Sequence, residues 1–457
     1  MPLPAALLSL LQEIFPPGAL STAEAERRAH AYDNSRLNAL PDAVVFPTEH
    51  AQVEALVRAC RSHRVPLTAR GGGTSSTGAS VPLQGGVVAN FQRMSRILRI
   101  DPDDRLAVVE PGVTNEALQQ ALAPHGFFWA PDPGSAPWCT VGGNLACNAS
   151  GPHAVKYGST RDNVLGLAAV AGTGESFRCG TQTTKSAIGY DLTRLLVGSE
   201  GTLAIITEAT LKLTPKPAGL RTLRATYRDA GSAAKAVARI MAQPATPCAL
   251  EFMDALALKL AREHSPEAGV PEAEALLMIE LDGAPDALDA ATAAVEAAAR
   301  VDGLVQLEVA RDEAHTRALW AARKALSFAQ RAVTQHKINE DVVVPVSRLP
   351  GLIDAVHALA EKHAVPIVSF GHAGNGNLHV NLLPRDVDEI ERAYAALPEL
   401  FARVLALGGT LSGEHGIGAV KREFMPLAVS DATLALMRGV KAAFDPDGIL
   451  NPGKLLP

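Results

Sequence analysis

Between residues 41 and 70 the apolar positions follow two rhythms. Short β-rich runs occupy 43–46 and 65–69, while Val53, Leu56, Val57 and Cys60 between them recur at helical spacing. Strand, helix and strand make a βαβ unit. From 86 to 213 the runs shorten: "GGVVANF", "LAVVEPG", "LGLAAVAGTGE" and "TLAIITEATLKLTP" are β-rich stretches cut by glycine turns. That is α+β texture, without repeated βα alternation.

The two prolines of "TPKPAG" at 214–219 mark a boundary. Beyond it, Ala-rich helical stretches at 231–241, 285–299 and 312–332 alternate with strands such as "ALLMIELDG" and "DVVVPV". This predicts a second domain with a sheet covered by helices on one face. The closing "AFDPDGILNPGKLLP" is turn-rich and is expected to pack back on the first domain. The resulting division is 1–215, 216–425 and 426–457.

Composition narrows the class of protein. At 457 residues, 47% apolar and 20% charged, the chain reads as soluble, globular and at least two domains long. A net charge of −6 speaks against a nucleic-acid partner. The opening "MPLPAALLSLLQEIFPPG" lacks a basic flank and a cleavage site, so it reads as a short amphipathic helix rather than a signal peptide. No apolar run is long enough to span a bilayer. The five scattered cysteines fit reduced thiols in a cytoplasmic protein better than a disulfide frame or an iron–sulfur cluster. Attachment to the periphery of the inner membrane stays open.

Candidate chemistry begins with "RGGGTSSTG" at 70–78, directly after a strand. Glycines let successive amides turn to one side and remove the Cβ atoms that would block close approach, which suits an anion such as pyrophosphate. A flexible surface turn is the plainer alternative. Neither GxGxxG nor GxxxxGK[ST] occurs, so a nicotinamide Rossmann site and a Walker site are both disfavoured.

Five motifs in order, "RGGGTS…TG", "GSEGTL", "GHAGNGNLH", "GEHGIG" and "NPGK", make a more specific signal than any one alone. The sequence resembles the vanillyl-alcohol oxidase / p-cresol methylhydroxylase (PCMH) flavoprotein superfamily from about residue 41 to its end. Within it, the likeness is to the FAD-linked D-2-hydroxyacid dehydrogenases: D-lactate dehydrogenase, the glycolate oxidase flavin subunit and D-2-hydroxyglutarate dehydrogenase. The resemblance implies a two-domain α+β flavoprotein, with an FAD-binding domain and an antiparallel-sheet substrate (cap) domain. It places the FAD pyrophosphate on Arg70, Gly71, Gly72, Gly73, Thr74, Ser75, Thr77 and Gly78. The isoalloxazine and ribityl chain would lie on Pro133, Gly134, Ser135, Gly142, Gly143, Asn144 and Gly151. Glu200, Gly201, Thr202 and Ile206 would meet the adenine side, and Asn451 of "NPGK" completes the cofactor set. Thr74 follows the glycines where covalently linked relatives often carry His, so noncovalent FAD is expected.

The stretch "FGHAGNGNLHVNL" at 370–382 reads as two strands around an Asn-Gly turn. His372 and His379 would flank that turn and could converge on one divalent ion, or simply hydrogen-bond as scaffold. Glu414 in "SGEHGIG" offers a third ligand, giving two imidazoles and a carboxylate suited to zinc, manganese or iron. The family places a metal on these positions. Its members commonly read H-A-G-D-G-N, whereas Asn375 stands here in place of the acid.

His415 directly follows the proposed ligand Glu414 and suits taking the substrate hydroxyl proton near neutral pH, with support of Glu414 as the plainer alternative. The resemblance places the substrate carboxylate on Arg323 after "LW"; Lys337 and Asn377 are further candidate substrate contacts and Asn381 a possible one. Arg suits a carboxylate through its forked donors. The implied reaction oxidises a small D-2-hydroxyacid to the 2-oxo acid, and electrons pass to a quinone, cytochrome or electron-transfer flavoprotein. A homodimer is possible. Two rivals are an alkyldihydroxyacetonephosphate-synthase-like FAD transferase and a flavin subunit of a multi-subunit glycolate oxidase.

Overall fold

The computed structural model describes residues 3–457. They form two compact units, one of Met1–Gly151, Gly158–Lys216 and Glu414–Pro457, the other of Pro152–Tyr157 and Pro217–Gly413.

The first unit holds two larger sheets and a two-stranded one that pairs Phe127–Phe128 with Thr214–Pro215. A four-stranded sheet places Val87–Asn90 between Ala43–Val45 and Leu67–Arg70, all three parallel, with Leu20–Ser21 antiparallel on the outer edge. Helix His50–Ser62 is the βαβ crossover, and its buried Val53, Leu56, Val57 and Cys60 are the residues whose spacing predicted it. The opening helix Ala5–Ile14 buries Leu7 and Leu11 in the same core. A second, antiparallel sheet of five strands runs from Ile97–Asp101 to Ser176–Gly180 and has its own core around Trp129, Leu118 and Leu145. The C-terminal segment returns to the first sheet, where Leu450 bridges Leu67 in parallel.

The second unit is a seven-stranded antiparallel sheet. In chain order its strands are β1 (Gly219–Tyr227), β2 (Ala249–Asp254), β3 (Ala275–Gly283), β4 (Leu304–Val309), β5 (Ile338–Val343), β6 (Ile367–His372) and β7 (Asn377–Leu382). Their spatial order is β4-β1-β3-β2-β6-β7-β5. Its helices are α1 (Ala230–Met241), α2 (Ala255–His264), α3 (Pro285–Ala299), α4 (Glu313–Val333), α5 (Leu349–His363) and α6 (Val387–Ala406).

Helices cover both faces of this sheet, not one as the pattern suggested. α2 and α4 pack over Met253, Met278, Val368 and Phe370. α1, α3 and α5 lie on the other face, where the Tyr227 hydroxyl donates to the Ala299 carbonyl. Both layers are possible because the strands alternate apolar residues on each side.

The expected 216–425 domain needs two corrections. It closes at Gly413, since the residues after it are bonded into the first unit: the Glu200 carboxylate accepts from the Ile417 and Gly418 amides at 2.7 and 2.8 Å. It also gains Pro152–Tyr157, because Tyr157 donates to Asp282 at 2.6 Å and the Lys156 ammonium pairs with the same carboxylate.

Candidate functional site

In the first unit the glycine-rich loop leaves the end of strand Leu67–Arg70. Its close packing explains the glycines. A Cβ on Gly72 would lie 2.0 Å from the Trp138 carbonyl oxygen, and one on Gly71 would lie 2.2 Å from Thr140 Oγ1. The 70–78 loop is thereby pressed onto the segment that begins helix Val141–Cys147. Gly142 donates to the Pro111 carbonyl, the Gly143 amide is capped by Thr140 Oγ1, and buried Asn144 accepts from Asn115.

Arg70 itself turns inward. Its guanidinium donates to the Tyr32 carbonyl at 2.7 Å and lies under Gly73, so it props the loop rather than facing out. Ser75 Oγ accepts from the Thr77 and Ala79 amides. The amides of Gly72, Gly73 and Thr74 make no hydrogen bond to the protein among the described residues. That row of backbone donors, two of them on glycines, is the arrangement an anionic cofactor needs, so the loop fits a pyrophosphate.

Glu200 sits at φ +53 and is buried, its carboxylate taken up by the Ile417 and Gly418 amides. Burial pushes its carboxyl up to about 7, against the pull of those two amides. Asn451 ties the assembly by donating to the Ala79 and Glu200 carbonyls. Thr202 bonds back to the Ser199 carbonyl, and Ile206 lies farther along strand Ala204–Lys212. Pro133, Gly134 and Ser135 form the turn whose Ser135 carbonyl accepts from Trp138 and Cys139. Gly151 takes φ +139 against Asp132.

His415 belongs to this unit. The Thr77 hydroxyl donates to the His415 carbonyl at 3.2 Å, and the Ala419 amide donates to the Thr77 carbonyl at 2.8 Å. Gly418 must be glycine here, since its φ is +53 and a Cβ would fall 2.1 Å from the Thr77 carbonyl oxygen. The imidazole-bearing segment is therefore laced to the glycine-rich loop.

In the second unit a row of polar residues crosses one face of the sheet. Register pairs Thr222 with Glu280, Glu251 with His372, Phe370 with His379, and His379 with Asp341. Strand alternation then sets all of them on the side covered by α2 and α4. The turn between β6 and β7 is Ala373–Asn375 followed by Gly376 at φ +73. A Cβ on Gly376 would lie 1.9 Å from the Val344 carbonyl oxygen. His372 and His379 emerge from that turn with ring centroids 5.2 Å apart and their planes at 85°.

Buried carboxylates flank both rings. Glu251, fully buried, bonds His372 Nδ1 at 2.5 Å and accepts from Arg323 Nε at 2.9 Å. Burial alone would raise its carboxyl, but His372 and Arg323 hold it well below the usual carboxylate range. Asp341 lies 4.0 Å from His379 Nδ1 and accepts from Asn377 Nδ2 (2.6 Å), Ser412 Oγ (3.0 Å) and the Gly413 amide (2.9 Å). Arg323 also lies over the Phe370 ring at 4.6 Å. Its terminal amino groups make no hydrogen bond to the protein among the described residues. Asn381 is buried and donates to the His379 carbonyl, while half-buried Lys337 precedes β5.

Glu251 and Asp341 were missed in the sequence. Their signal was present: an acid inside an apolar strand, as in "ALEFMD" and "NEDVVV", must find a partner.

A sheet-rich first unit with a donor-lined glycine loop, and a second unit whose antiparallel sheet bears histidines and carboxylates, are the parts of a flavin-dependent oxidoreductase. Comparisons agree. Residues 41–180 match the "FAD binding domain" model, and 216–455 match "FAD linked oxidases, C-terminal domain". The chain belongs to the FAD-linked oxidase family. It is 38% identical to the glycolate oxidase subunit GlcD of Bacillus subtilis (strain 168), covering 97% of this chain and 95% of that one. Identity is 35% to the D-lactate dehydrogenase of Anaerostipes hadrus, over 91% of this chain and 90% of the relative. It is 34% to the D-2-hydroxyglutarate dehydrogenase of Stutzerimonas stutzeri (strain A1501), over 98% of each. Among solved structures, p-cresol methylhydroxylase with substrate bound shares the fold at a TM-score of 0.83 and 15% identity, over 98% of this chain and 96% of that one. Alkyldihydroxyacetonephosphate synthase does so at 0.77 and 21%, over 100% and 87%.

Proposed function

We propose that the protein oxidises a small D-2-hydroxyacid, of the D-lactate type, to its 2-oxo acid. The observation that supports this reading is the lacing of the His415 backbone onto the glycine-rich loop, which ties the segment bearing the proposed base to the loop that fits an FAD pyrophosphate. The substrate class is drawn from the relatives, named for glycolate, D-lactate and D-2-hydroxyglutarate.

Noncovalent FAD, when bound, supplies the two-electron acceptor. Residues 70–78 and the 133–151 segment would hold it, with Gly201 and Asn451 behind them. Arg323 orients the substrate by its carboxylate, through the terminal nitrogens that Glu251 leaves unused. His415 takes the C2 hydroxyl proton as the bond to C2 hydrogen breaks.

His372, His379 and Glu414 would hold a divalent metal of the zinc, manganese or iron kind, whose Lewis acidity lowers the cost of losing that proton. Two facts support the set. Glu251 holds the His372 ring through Nδ1, as carboxylate partners orient metal-binding histidines, and Asp341 lies 4.0 Å from His379 Nδ1. Glu414 follows Gly413 by one peptide bond, and Asp341 holds the Gly413 amide. Lys337 and Asn377 remain substrate contacts in this reading, although the Asn377 amide nitrogen is already spent on Asp341 and the Val342 carbonyl.

The test is anaerobic loss of flavin absorbance with a panel of D- and L-hydroxyacids, with elemental analysis of the same sample. Bleaching by D- but not L-acids is expected; bleaching by none of them would sink the proposal. A second reading, the flavin subunit of a multi-subunit glycolate oxidase, is favoured by the subunit relative from Bacillus subtilis. It requires that the purified chain bleach with substrate yet reduce a dye or quinone only when partner subunits are added.

A further inference from the structure

We propose that His153, Cys248 and Glu280 form a second metal site, built for a zinc-like divalent ion and separate from the His372/His379 pair. One ligand atom from each of the three lies within 4.8 Å of the others, all inside the second unit. His153 Nε2 stands 3.8 Å from Glu280 Oε2, and the Cys248 thiol is hydrogen-bonded to the same ring. Ligands on one tetrahedral zinc, at bond lengths of ~2.0–2.3 Å, lie roughly 3.5 Å apart, so the cluster needs only a small contraction.

The surroundings are those of a built site. Glu280 Oε1 accepts from the Thr222 hydroxyl at 2.8 Å and the Trp320 indole at 2.6 Å, which fixes the carboxylate and turns Oε2 toward His153. His153 is carried by the Pro152–Tyr157 strap, which Lys156 and Tyr157 clamp to Asp282, two residues along β3 from Glu280. Burial also differs usefully across the set. Cys248 is fully buried and the Glu280 side chain is 8% exposed, whereas the His153 side chain is 32% exposed. An ion can enter past the imidazole and keep a fourth position for water. The buried thiol is out of reach of a substrate, which argues against a nucleophilic role.

Without metal Cys248 is a thiol hydrogen-bonded to His153. Binding one divalent ion forms the metal–sulfur bond and releases the thiol proton to solvent. Both clusters lie on the same sheet face, Glu280 being two positions from Met278, the cross-strand partner of Glu251. Their ligand chemistry differs: the His372/His379 set has only nitrogen and oxygen donors, and this one has sulfur.

Sulfur makes the proposal testable without reference to catalysis. Flavin-loaded protein is stripped with chelator, titrated with Zn²⁺, dialysed and measured by zinc K-edge X-ray absorption and elemental analysis. The expected result is a sulfur shell at ~2.3 Å that disappears in Cys248→Ser. One zinc per chain is lost in Cys248→Ser or His153→Gln, while His379→Ala keeps the sulfur shell. A nitrogen- and oxygen-only spectrum for the wild type would overturn the proposal, even if the variants failed to fold. So would a sulfur shell that survives Cys248→Ser; the three groups would then be a hydrogen-bonded thiol, imidazole and carboxylate and nothing more.

Discussion

Replacing Glu251 with Gln keeps the side chain's shape and removes one buried charge. The perturbation is severe because Glu251 is fully buried and bonded to Arg323 at 2.9 Å and His372 at 2.5 Å. After the change, the Arg323 guanidinium, 17% exposed in its side chain, would face a neutral amide with only the Phe370 ring as compensation. Removing one partner of a buried ion pair costs about 3–5 kcal/mol, and the arginine–ring contact, worth about 0.5–2 kcal/mol, is present before and after. Taking about 3 kcal/mol, a unit of roughly 200 residues should melt about 6–12 °C lower. Scanning calorimetry of the flavin-loaded protein reads this directly.

The pH dependence has a definite sign. The Glu251 carboxyl is held below the usual range, so its stabilisation is complete above the unfolded value of about 4.3 and fades as pH falls through the folded one. The gap between wild type and variant should therefore stay flat from about pH 5 to 8 and narrow only in acid. A melting point within a degree of wild type at pH 7 would refute the reasoning.

Other perturbations read other parts of the structure. Glu200, raised by burial to about 7, titrates with the opposite sign, so the first unit should lose stability as pH rises from about 4 to about 7. Glu200→Gln should flatten that slope, and an unchanged melting profile would show that the buried carboxyl does not set it. Gly418→Ala drives a Cβ into the Thr77 carbonyl oxygen at 2.1 Å, and should weaken FAD retention and slow flavin reduction together; wild-type behaviour on both counts would contradict the lacing of His415 to the loop. Asp341→Ala removes the acceptor for Asn377, Ser412 and Gly413, and should lower metal affinity about 10–100-fold in equilibrium dialysis. Undiminished affinity would detach Asp341 from the metal site.

Local features were the most legible in the sequence. The crossover helix His50–Ser62 showed in its spacing, and the Asn375-Gly376 turn showed where two histidines could meet, because both depend on residues near in the chain. Long-range partners did not show. Nothing near Glu200 announces that it binds amides more than two hundred residues later, which is what moves the boundary from 425 to Gly413. The Pro152–Tyr157 strap was hidden for the same reason, since its anchor Asp282 is remote in sequence. The two helical layers escaped because Ala-rich helices show little contrast between their faces. Among the described residues no helix is long and apolar enough to cross a membrane, in line with the absence of long apolar runs.

The base assignment is the most exposed part of the account, and stopped-flow flavin reduction by D-lactate under anaerobic conditions tests it most directly. His415→Ala should retain FAD and reduce it about 10²–10⁴-fold more slowly than wild type. Reduction at a near wild-type rate in the FAD-loaded variant would contradict it.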